Sequence, residues 1–374
     1  MKISKKDALM WFEFFASLPY DQQLLNRQEE IVTDVLSQIE DAQERKIREL
    51  YSGLEEVYDI GGRSFFVGNP EKISDGCRAC LTESGLNAVR KTNRCNLNCP
   101  FCYNYGELDE QPPIGEGYWE IGGSFFRAGD IPSLIRIQGA PKAVAYVYLE
   151  PFMEIEKYYG IIRVFAEHGV HQHMYTNGTL ADRDNLKKLG EAGLNELRFN
   201  LGATDCSDRV IENIALAKKY IPKVGIETPM TREFHRSFLE KKDAILSSGA
   251  DFMNLAELHL NENNLQNYIG ENMYMYRRGY LSPVFSHILT LDIMKRCVRE
   301  GWDMAVHDCC DRTKFMRGLN LTSHEGGCFG SSEYAMEFDS VPYGAFLPVL
   351  KDPDFVFTEE EPLPAGYGIG EILY

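Results

Sequence analysis

The sequence predicts an α/β fold in which mainly parallel strands curl around a centre. Between residues 142 and 260, apolar strand segments alternate with amphipathic helical segments at about 30 residues per unit, which is typical of βαβ units. Right-handed crossovers curl such a series into a partial barrel or an open twisted sheet. In either form, ligands bind at the carboxyl ends of the strands.

The predicted elements follow one another in strict order. The first strand, 87–93, leads into a cysteine-rich loop, and five further strands are predicted at 142–150, 170–178, 194–202, 223–229 and 251–260. Helices are predicted between them at 155–169, 181–193, 209–220 and 235–250. Leu186 and Leu189 share one face of the second helix. Residues 106–133 are rich in Gly and Pro, which favours a long loop or an insertion with a hairpin.

Segments on either side of this core complete the predicted domain organisation. Apolar residues recur at spacings of three and four between Leu24 and Val57, which predicts helices. We therefore expect an N-terminal helical segment at 1–74, a core at 75–262 and a C-terminal extension at 263–374.

Composition limits the partners and the location. The net charge of −17 argues against non-specific binding to nucleic acid and to anionic membrane surfaces. The start, MKISKKDALMWFEFFASLPYDQQ, is interrupted by acids and predicts an amphipathic helix and not a signal peptide, so we expect a cytoplasmic protein. Ten cysteines in a reducing compartment indicate metal or redox chemistry more than disulfides.

Three of these cysteines, Cys95, Cys99 and Cys102, fall within eight positions after the first strand. Two metal sites compete for them. Cys77 and Cys80 could join Cys99 and Cys102 in a four-cysteine zinc site, but that site leaves Cys95 unexplained. Alternatively, Cys95, Cys99 and Cys102 could hold one [4Fe–4S] cluster and leave its fourth iron open for chemistry.

The second interpretation resembles the radical S-adenosylmethionine (SAM) superfamily. Its signature is C-x3-C-x2-C after the first strand of a partial (β/α)6 barrel, with an aromatic, here Phe101, before the third cysteine. The resemblance implies an oxidoreductase with a [4Fe–4S] cluster that cleaves SAM reductively to methionine and a 5′-deoxyadenosyl radical. That radical abstracts hydrogen from a small-molecule or peptide substrate. The resemblance also implies an electron donor such as flavodoxin or ferredoxin.

The resemblance further implies four SAM-binding positions besides Phe101. Glu150 and Pro151 match the end of the family's Gly-Gly-Glu-Pro motif, whose acid and backbone hold the methionyl amino group, whereas Tyr148 and Leu149 replace its glycines. The other positions are Asn177 in a Thr-Asn-Gly turn, Asn200 at the end of the fourth strand and Glu227 at the end of the fifth.

The remaining predictions are coarser. Cys77, Cys80, Cys309, Cys310 and Cys328 are candidate ligands of an auxiliary iron–sulfur or zinc site, with buried thiols as the simpler alternative. His171 and His173 alternate on the third strand and are interpreted as hydrogen-bonded core residues. No residue is assigned to the substrate chemistry. Two other functions stay open: an activase that installs a radical on a partner enzyme, and a non-catalytic zinc-ribbon protein.

Overall fold

Seven parallel strands form the centre of one sheet, joined by six consecutive parallel pairings, in the part of the chain that the structure describes. The structure is a computed structural model that describes residues 54, 57–59, 65–81, 86–106, 114–122, 124–271, 273–275 and 281–310. The observed α/β architecture confirms the predicted fold class, and strand and helix alternate along the core as expected.

The bounds of the elements are as follows. The strands are β1 Tyr58–Asp59, β2 Phe65–Gly68, β3 Leu86–Arg90, β4 Tyr118–Ile121, β5 Ser124–Arg127, β6 Ala143–Tyr146, β7 His171–Thr176, β8 Glu196–Phe199, β9 Lys223–Pro229, β10 Phe252–Ala256, β11 Met273–Met275, β12 Leu281–Pro283 and β13 Ala305–Cys309. The helices are α1 Asp75–Leu81, α2 Ile131–Gln138, α3 Tyr158–Glu167, α4 Arg183–Ala192, α5 Asp208–Ala217, α6 Arg232–Ser247 and α7 Val284–Glu300.

Both edges of the main sheet are antiparallel. Its order is β1-β2-β13-β10-β9-β8-β7-β6-β3-β4-β5, and β13 adds a seventh parallel strand from the predicted C-terminal extension. Strands β4 and β5 pair as a hairpin within the Gly/Pro-rich insertion. Residues before 54, in the predicted N-terminal helical segment, lie outside the described part. Later in the same segment, β2 is a strand, because its FFVG sequence favours extended structure and pairs with β13.

The outer helices follow directly from the sequence. Helix α4 begins after Asp182, whose carboxylate accepts a hydrogen bond from the backbone of Asn185 at 2.8 Å. It ends at Gly193, whose φ of 98° is readily adopted only by glycine. Leu186 and Leu189 are fully buried on its inner face, as predicted, and each contributes about 2 kcal/mol of hydrophobic stabilisation. Within the described residues, no helix is long and apolar enough to cross a membrane.

Helix α1 packs against β3, β6 and β7 on the inner, concave side of the sheet. Its Gly76 lies so close to the barrel wall that a Cβ atom there would be 2.4 Å from Nη2 of Arg198 and 2.6 Å from Nδ1 of His173. Just before the helix, the hydroxyl of Ser74 contacts the carboxylate of Glu196 at 2.8 Å. The helix therefore fills space inside the barrel, against a wall that carries polar side chains.

Candidate functional site

The loop after β3 brings the three clustered cysteines to the carboxyl end of the parallel strands. Cys95, Cys99 and Cys102 are all half-buried. The backbone amide of Cys102 donates to the carbonyl of Cys99 at 2.9 Å. The backbone amides of Leu97 and Asn104 approach the sulfurs of Cys95 and Cys102 at 3.5 and 3.4 Å, and such N–H···S contacts favour thiolates.

The electrostatics of the three thiols suit a shared cation. Burial raises the pKa of Cys95, and burial together with the neighbouring Cys102 and Cys95 thiols raises the pKa of Cys99 to about 12. A cationic iron–sulfur cluster would relieve that mutual repulsion, because it binds the deprotonated form. Three soft sulfur donors in one loop therefore fit the predicted [4Fe–4S] cluster.

An asparagine-rich segment after β10 holds the cysteine loop from the opposite side. Four side-chain amides donate to three carbonyls of the loop: Asn261 and Asn263 to Tyr103 at 3.0 and 2.7 Å, Asn264 to Phe101 at 3.0 Å, and Asn267 to Pro100 at 2.8 Å. We call these four residues the asparagine clamp. The sequence analysis missed it, because a run of polar residues such as NENNLQN is typical of any exposed loop.

We expect Asn264→Ala to loosen the cysteine loop. Asn264 is fully buried, donates to the carbonyls of Phe101 and His259, each at 3.0 Å, and accepts from the amide of Asn261 at 2.8 Å. Leaving such groups unpaired costs about 2–3 kcal/mol. Urea unfolding of the purified chain and the iron bound after anaerobic reconstitution measure both consequences. Asn267→Ala, which removes one exposed contact, is the control, and equal losses in the two variants would contradict a special role for Asn264.

Glu150 follows β6 and lies buried beneath the Thr-Asn-Gly turn. It is 1 % exposed, and its carboxylate accepts three hydrogen bonds: from the amide of Phe152 at 3.0 Å, the hydroxyl of Thr176 at 2.8 Å and the amide of Asn177 at 2.6 Å. The predicted SAM-binding residue therefore also organises the turn that carries Asn177.

The two residues before Glu150 have a backbone conformation that glycine adopts more easily. Tyr148 has a φ of 70° and Leu149 a φ of 51°, which places both in the left-handed region. These are the positions at which the family motif has glycines. Each such residue costs about 1–2 kcal/mol, so the sequence departs from the motif at an energetic cost while the chain keeps a glycine-like path.

We predict an inverted pH dependence from Glu150. Burial raises the pKa of its carboxyl from 4.5 to about 7, so the folded chain holds this proton more tightly than the unfolded chain. Its contribution to stability is therefore complete below the unfolded pKa and is lost as pH rises through the folded pKa. Between about pH 5 and pH 7, the free energy of unfolding of the wild type should fall relative to Glu150→Gln by about 2–3 kcal/mol. Parallel pH curves for the two proteins would contradict this assignment.

The Thr-Asn-Gly turn contacts the cysteine loop through paired amides. The side chain of Asn177 donates to Asn96 at 2.8 Å, and Asn96 donates to the hydroxyl of Thr179 at 2.8 Å. The same nitrogen of Asn177 lies 4.0 Å from the sulfur of Cys95. The structure thus brings Asn177 to the predicted cluster site, together with Asn96, which the sequence analysis did not single out.

The other predicted SAM-binding residues lie on or beside the inner wall. The side chain of Asn200 accepts a hydrogen bond from the backbone amide of Ala203 at 3.2 Å, so Asn200 begins the turn after β8. The backbone amide of Asn200 donates to the carbonyl of Thr176 at 2.8 Å. The carboxylate of Glu227 forms an ion pair with Arg198. The side chain of Phe101 is half-buried and packs against the main hydrophobic core.

Arg198 is the centre of a buried polar network that the sequence analysis did not foresee. Its guanidinium is 3 % exposed and donates to Glu196 at 2.5 Å, to the hydroxyl of Ser74 at 2.8 Å and to the hydroxyl of Tyr175 at 3.1 Å, besides Glu227. These partners come from α1 and three neighbouring strands or their flanks. The network therefore fixes α1 inside the barrel.

The candidate auxiliary thiols lie in two parts of the fold. Cys77 on α1 is buried, and Cys80 is one turn further along the same helix. Burial raises the pKa of Cys77, Arg198 lowers it, and Glu227, Glu196 and Cys309 add smaller increases. Cys310 is buried next to Cys309, and Cys328 lies outside the described residues. Cys77 belongs to a small apolar cluster with Phe66, Phe252 and Ala305, the first residue of β13, whereas Cys309 is the last residue of that strand.

Residues 89–241 match the Radical SAM superfamily. Two curated relatives come from Methanocaldococcus jannaschii. One, whose assigned name is "Putative glycyl-radical enzyme activating enzyme", is 27% identical over 205 residues, which are 52% of this chain and 53% of the relative. The other, an uncharacterized protein, is 24% identical over 174 residues, which are 41% of this chain and 54% of the relative. The chain therefore spans about half the length of the curated relatives it matches.

Solved structures that are similar to part of this chain include the following two. Methylornithine synthase (PylB) is 13% identical, with a TM-score of 0.41 over 78% of this chain and 86% of that chain. Streptococcus suis SuiB bound to S-adenosylmethionine is 15% identical, with a TM-score of 0.38 over 50% of this chain and 42% of that chain.

The family match covers the strands and loops that carry Cys95, Cys99, Cys102 and Glu150. Iron–sulfur and SAM binding are inherent to this superfamily, so a [4Fe–4S] cluster and SAM are the cofactors that the match implies. It also removes the support for the zinc-ribbon alternative. Residues 89–241 of this chain are therefore a region that matches the Radical SAM superfamily.

Proposed function

We propose that the protein is an enzyme that uses a [4Fe–4S] cluster and SAM to abstract hydrogen from a small-molecule or peptide substrate. The observation that carries this proposal is the placement of Cys95, Cys99 and Cys102 in one half-buried loop at the carboxyl ends of the strands of a radical SAM domain. The predicted cytoplasmic location and an electron donor of the flavodoxin or ferredoxin type belong to the same proposal.

In this proposal each residue of the site has a distinct task. When bound, the cluster and SAM together supply reductive cleavage of a sulfonium C–S bond to a 5′-deoxyadenosyl radical. Cys95, Cys99 and Cys102 would hold the cluster as thiolates. The asparagine clamp fixes their loop, and the contact between Asn177 and Asn96 fixes the position of the Thr-Asn-Gly turn against it.

The SAM-binding side of the site would be built around Glu150. A carboxylate has about four acceptor positions, and Glu150 uses three for the turn, which leaves one for the methionyl ammonium. A charge-assisted hydrogen bond there is worth about 1.5–3 kcal/mol, so Glu150→Gln should weaken SAM binding by about one to two decades. Asn177, Asn200, Glu227 and Phe101 are the further SAM contacts in this proposal.

The interior helix limits where the substrate can bind. Because α1 and the network of Arg198 fill the inside of the barrel, no deep axial cavity is expected for a large substrate. We therefore place the substrate at the mouth of the barrel, beside the cysteine loop. Elsewhere in the fold, α1 carries Cys77 and Cys80, and β13 ends at Cys309.

The same thiols support a second metal site in the proposal. This auxiliary iron–sulfur or zinc site would be shared by α1 and the end of β13, with Cys77, Cys80, Cys309, Cys310 and Cys328 as its candidate ligands. Metal analysis of the full chain with Cys95, Cys99 and Cys102 all changed to Ala tests this idea. About four irons would indicate a second cluster, and no thiolate-bound metal would exclude the site.

A second candidate function is activation of a glycyl-radical enzyme. The name of one Methanocaldococcus jannaschii relative favours it. Deuterium transfer separates the two functions: the reconstituted protein is incubated with SAM, reductant and deuterated extract fractions, and deuterium in 5′-deoxyadenosine is measured. Transfer from low-mass or peptide fractions supports the proposed function. Transfer from a protein fraction, together with a glycyl-radical signal in electron paramagnetic resonance, supports the activase instead.

A further inference from the structure

Two histidines and a glutamate converge at the amino ends of two neighbouring strands. His171 and His173 are two residues apart on β7 and share its inner face. Glu196 begins β8 and is the register partner of His173. One ligand atom from each of the three lies within 4.8 Å of the other two. The predicted cluster ligands, by contrast, follow the carboxyl end of β3.

We propose that His171, His173 and Glu196 bind a divalent metal ion, Zn²⁺, that secures α1 within the barrel. Two imidazole nitrogens and one carboxylate are a common ligand set for zinc, whereas iron–sulfur clusters use mainly thiolates. A position at the amino ends of barrel strands favours a stabilising role over a catalytic one. The site is independent of the proposed radical chemistry, because it shares no ligand with the cysteine loop.

The carboxylate of Glu196 is already oriented as a metal ligand would be. The hydroxyl of Ser74 contacts its two oxygens at 2.8 and 2.9 Å, and Arg198 donates to Oε1 at 2.5 Å. Such outer contacts fix the direction of a ligating carboxylate. They also link the ion to α1, because Ser74 directly precedes that helix.

One ring nitrogen faces this carboxylate at a distance suited to a shared ion. Nε2 of His171 is buried, accepts or donates no hydrogen bond among the described residues, and lies 4.0 Å from Oε2 of Glu196. Zinc bonds of about 2 Å bring two ligands to roughly 3.3 Å of each other, so side-chain shifts under about 1 Å would close the site. A buried ring nitrogen without a partner otherwise costs free energy.

The charges around the site permit a cation. Arg198 is balanced by two carboxylates, Glu196 and Glu227, so these three groups carry a net charge of −1. Lys223 pairs with Asp75 at 3.5 Å.

Zinc binding to the full-length, iron-reconstituted protein tests the proposal, since reconstitution occupies the thiols of the cysteine loop. After incubation with Zn²⁺ and removal of the excess, we expect about one zinc per chain. X-ray absorption at the zinc edge should give nitrogen and oxygen ligands at about 2.0–2.1 Å, whereas thiolate ligation would give sulfur at about 2.3 Å. No retained zinc, or retained zinc with sulfur ligands alone, would overturn the proposal without affecting the radical chemistry.

Substitutions at a proposed ligand and at a thiol show where the zinc ion binds. His171→Ala should weaken zinc binding at least tenfold and remove the rise in thermal stability that zinc gives to the wild type. The exposed His168, which contacts the carbonyl of Val164, provides the matched control His168→Ala, and Cys77→Ser reports on the thiols. Zinc lost in Cys77→Ser but retained in His171→Ala would contradict the assignment.

Discussion

Changing any one of Cys95, Cys99 and Cys102 to Ala is expected to abolish formation of 5′-deoxyadenosine and to lower the bound iron by about four per chain. The loop offers three thiols, and the fourth iron of the proposed cluster must remain open to SAM. Two thiolates cannot hold such a cluster at an exposed barrel mouth. Iron and sulfide analysis and chromatographic detection of the nucleoside measure the two effects.

A matched cysteine variant separates ligand loss from general damage. Cys297 is fully buried on α7 and is not part of the cysteine loop. Cys297→Ala should cost some stability but leave iron content and nucleoside formation near the wild-type level. If a loop variant retained wild-type iron and activity, or if Cys297→Ala lost both, the loop cysteines would not be the ligands.

Arg198→Met should destabilise the fold by about 3–5 kcal/mol. The substitution keeps much of the side-chain volume but removes the only described guanidinium between Glu196 and Glu227. Two carboxylates would then remain inside the barrel without their shared cation, and Ser74 and Tyr175 would lose a donor. Urea unfolding of the chain in a metal-free buffer measures the loss.

Two further variants serve as controls for this expected loss of stability. Lys187→Met breaks an exposed helix pair with Glu191 and should be indistinguishable from the wild type. The double variant Arg198→Met with Glu196→Gln should recover part of the stability, because it removes one of the uncompensated charges. If the free energy of unfolding of Arg198→Met lay within about 1 kcal/mol of the wild-type value, water or another cation would be compensating the two carboxylates.

The strands and helices of the core were predictable because each has one apolar face directed at the same buried layer. Helix α4 illustrates this, since its cap at Asp182, its stop at Gly193 and its buried Leu186 and Leu189 are all local signals. The position of α1 was not predictable in this way. Its sequence, DGCRACL, spans only seven residues, which is too short to show a clear helical periodicity.

Pairing between segments that are far apart in the chain explains the other differences between the predicted and the observed structure. Strand β2 is held by β13, more than two hundred residues later, and neither segment by itself indicates that partnership. The cysteine loop was recognisable from its spacing alone, whereas the asparagine clamp was not, because side-chain amides that bind a distant loop leave no periodic signal. The network of Arg198 gave no such signal either, since its carboxylate partners come from separate strands.

The most direct test of the proposed function is the cleavage of SAM by the wild-type protein. After anaerobic reconstitution with iron and sulfide, the protein is incubated with SAM and dithionite, and 5′-deoxyadenosine and methionine are quantified against the variant in which Cys95, Cys99 and Cys102 are all Ala. The proposed function predicts both products in equal amounts from the wild type and neither from the variant. A wild-type protein that carries about four irons and binds SAM, yet forms no 5′-deoxyadenosine under these conditions, would contradict it.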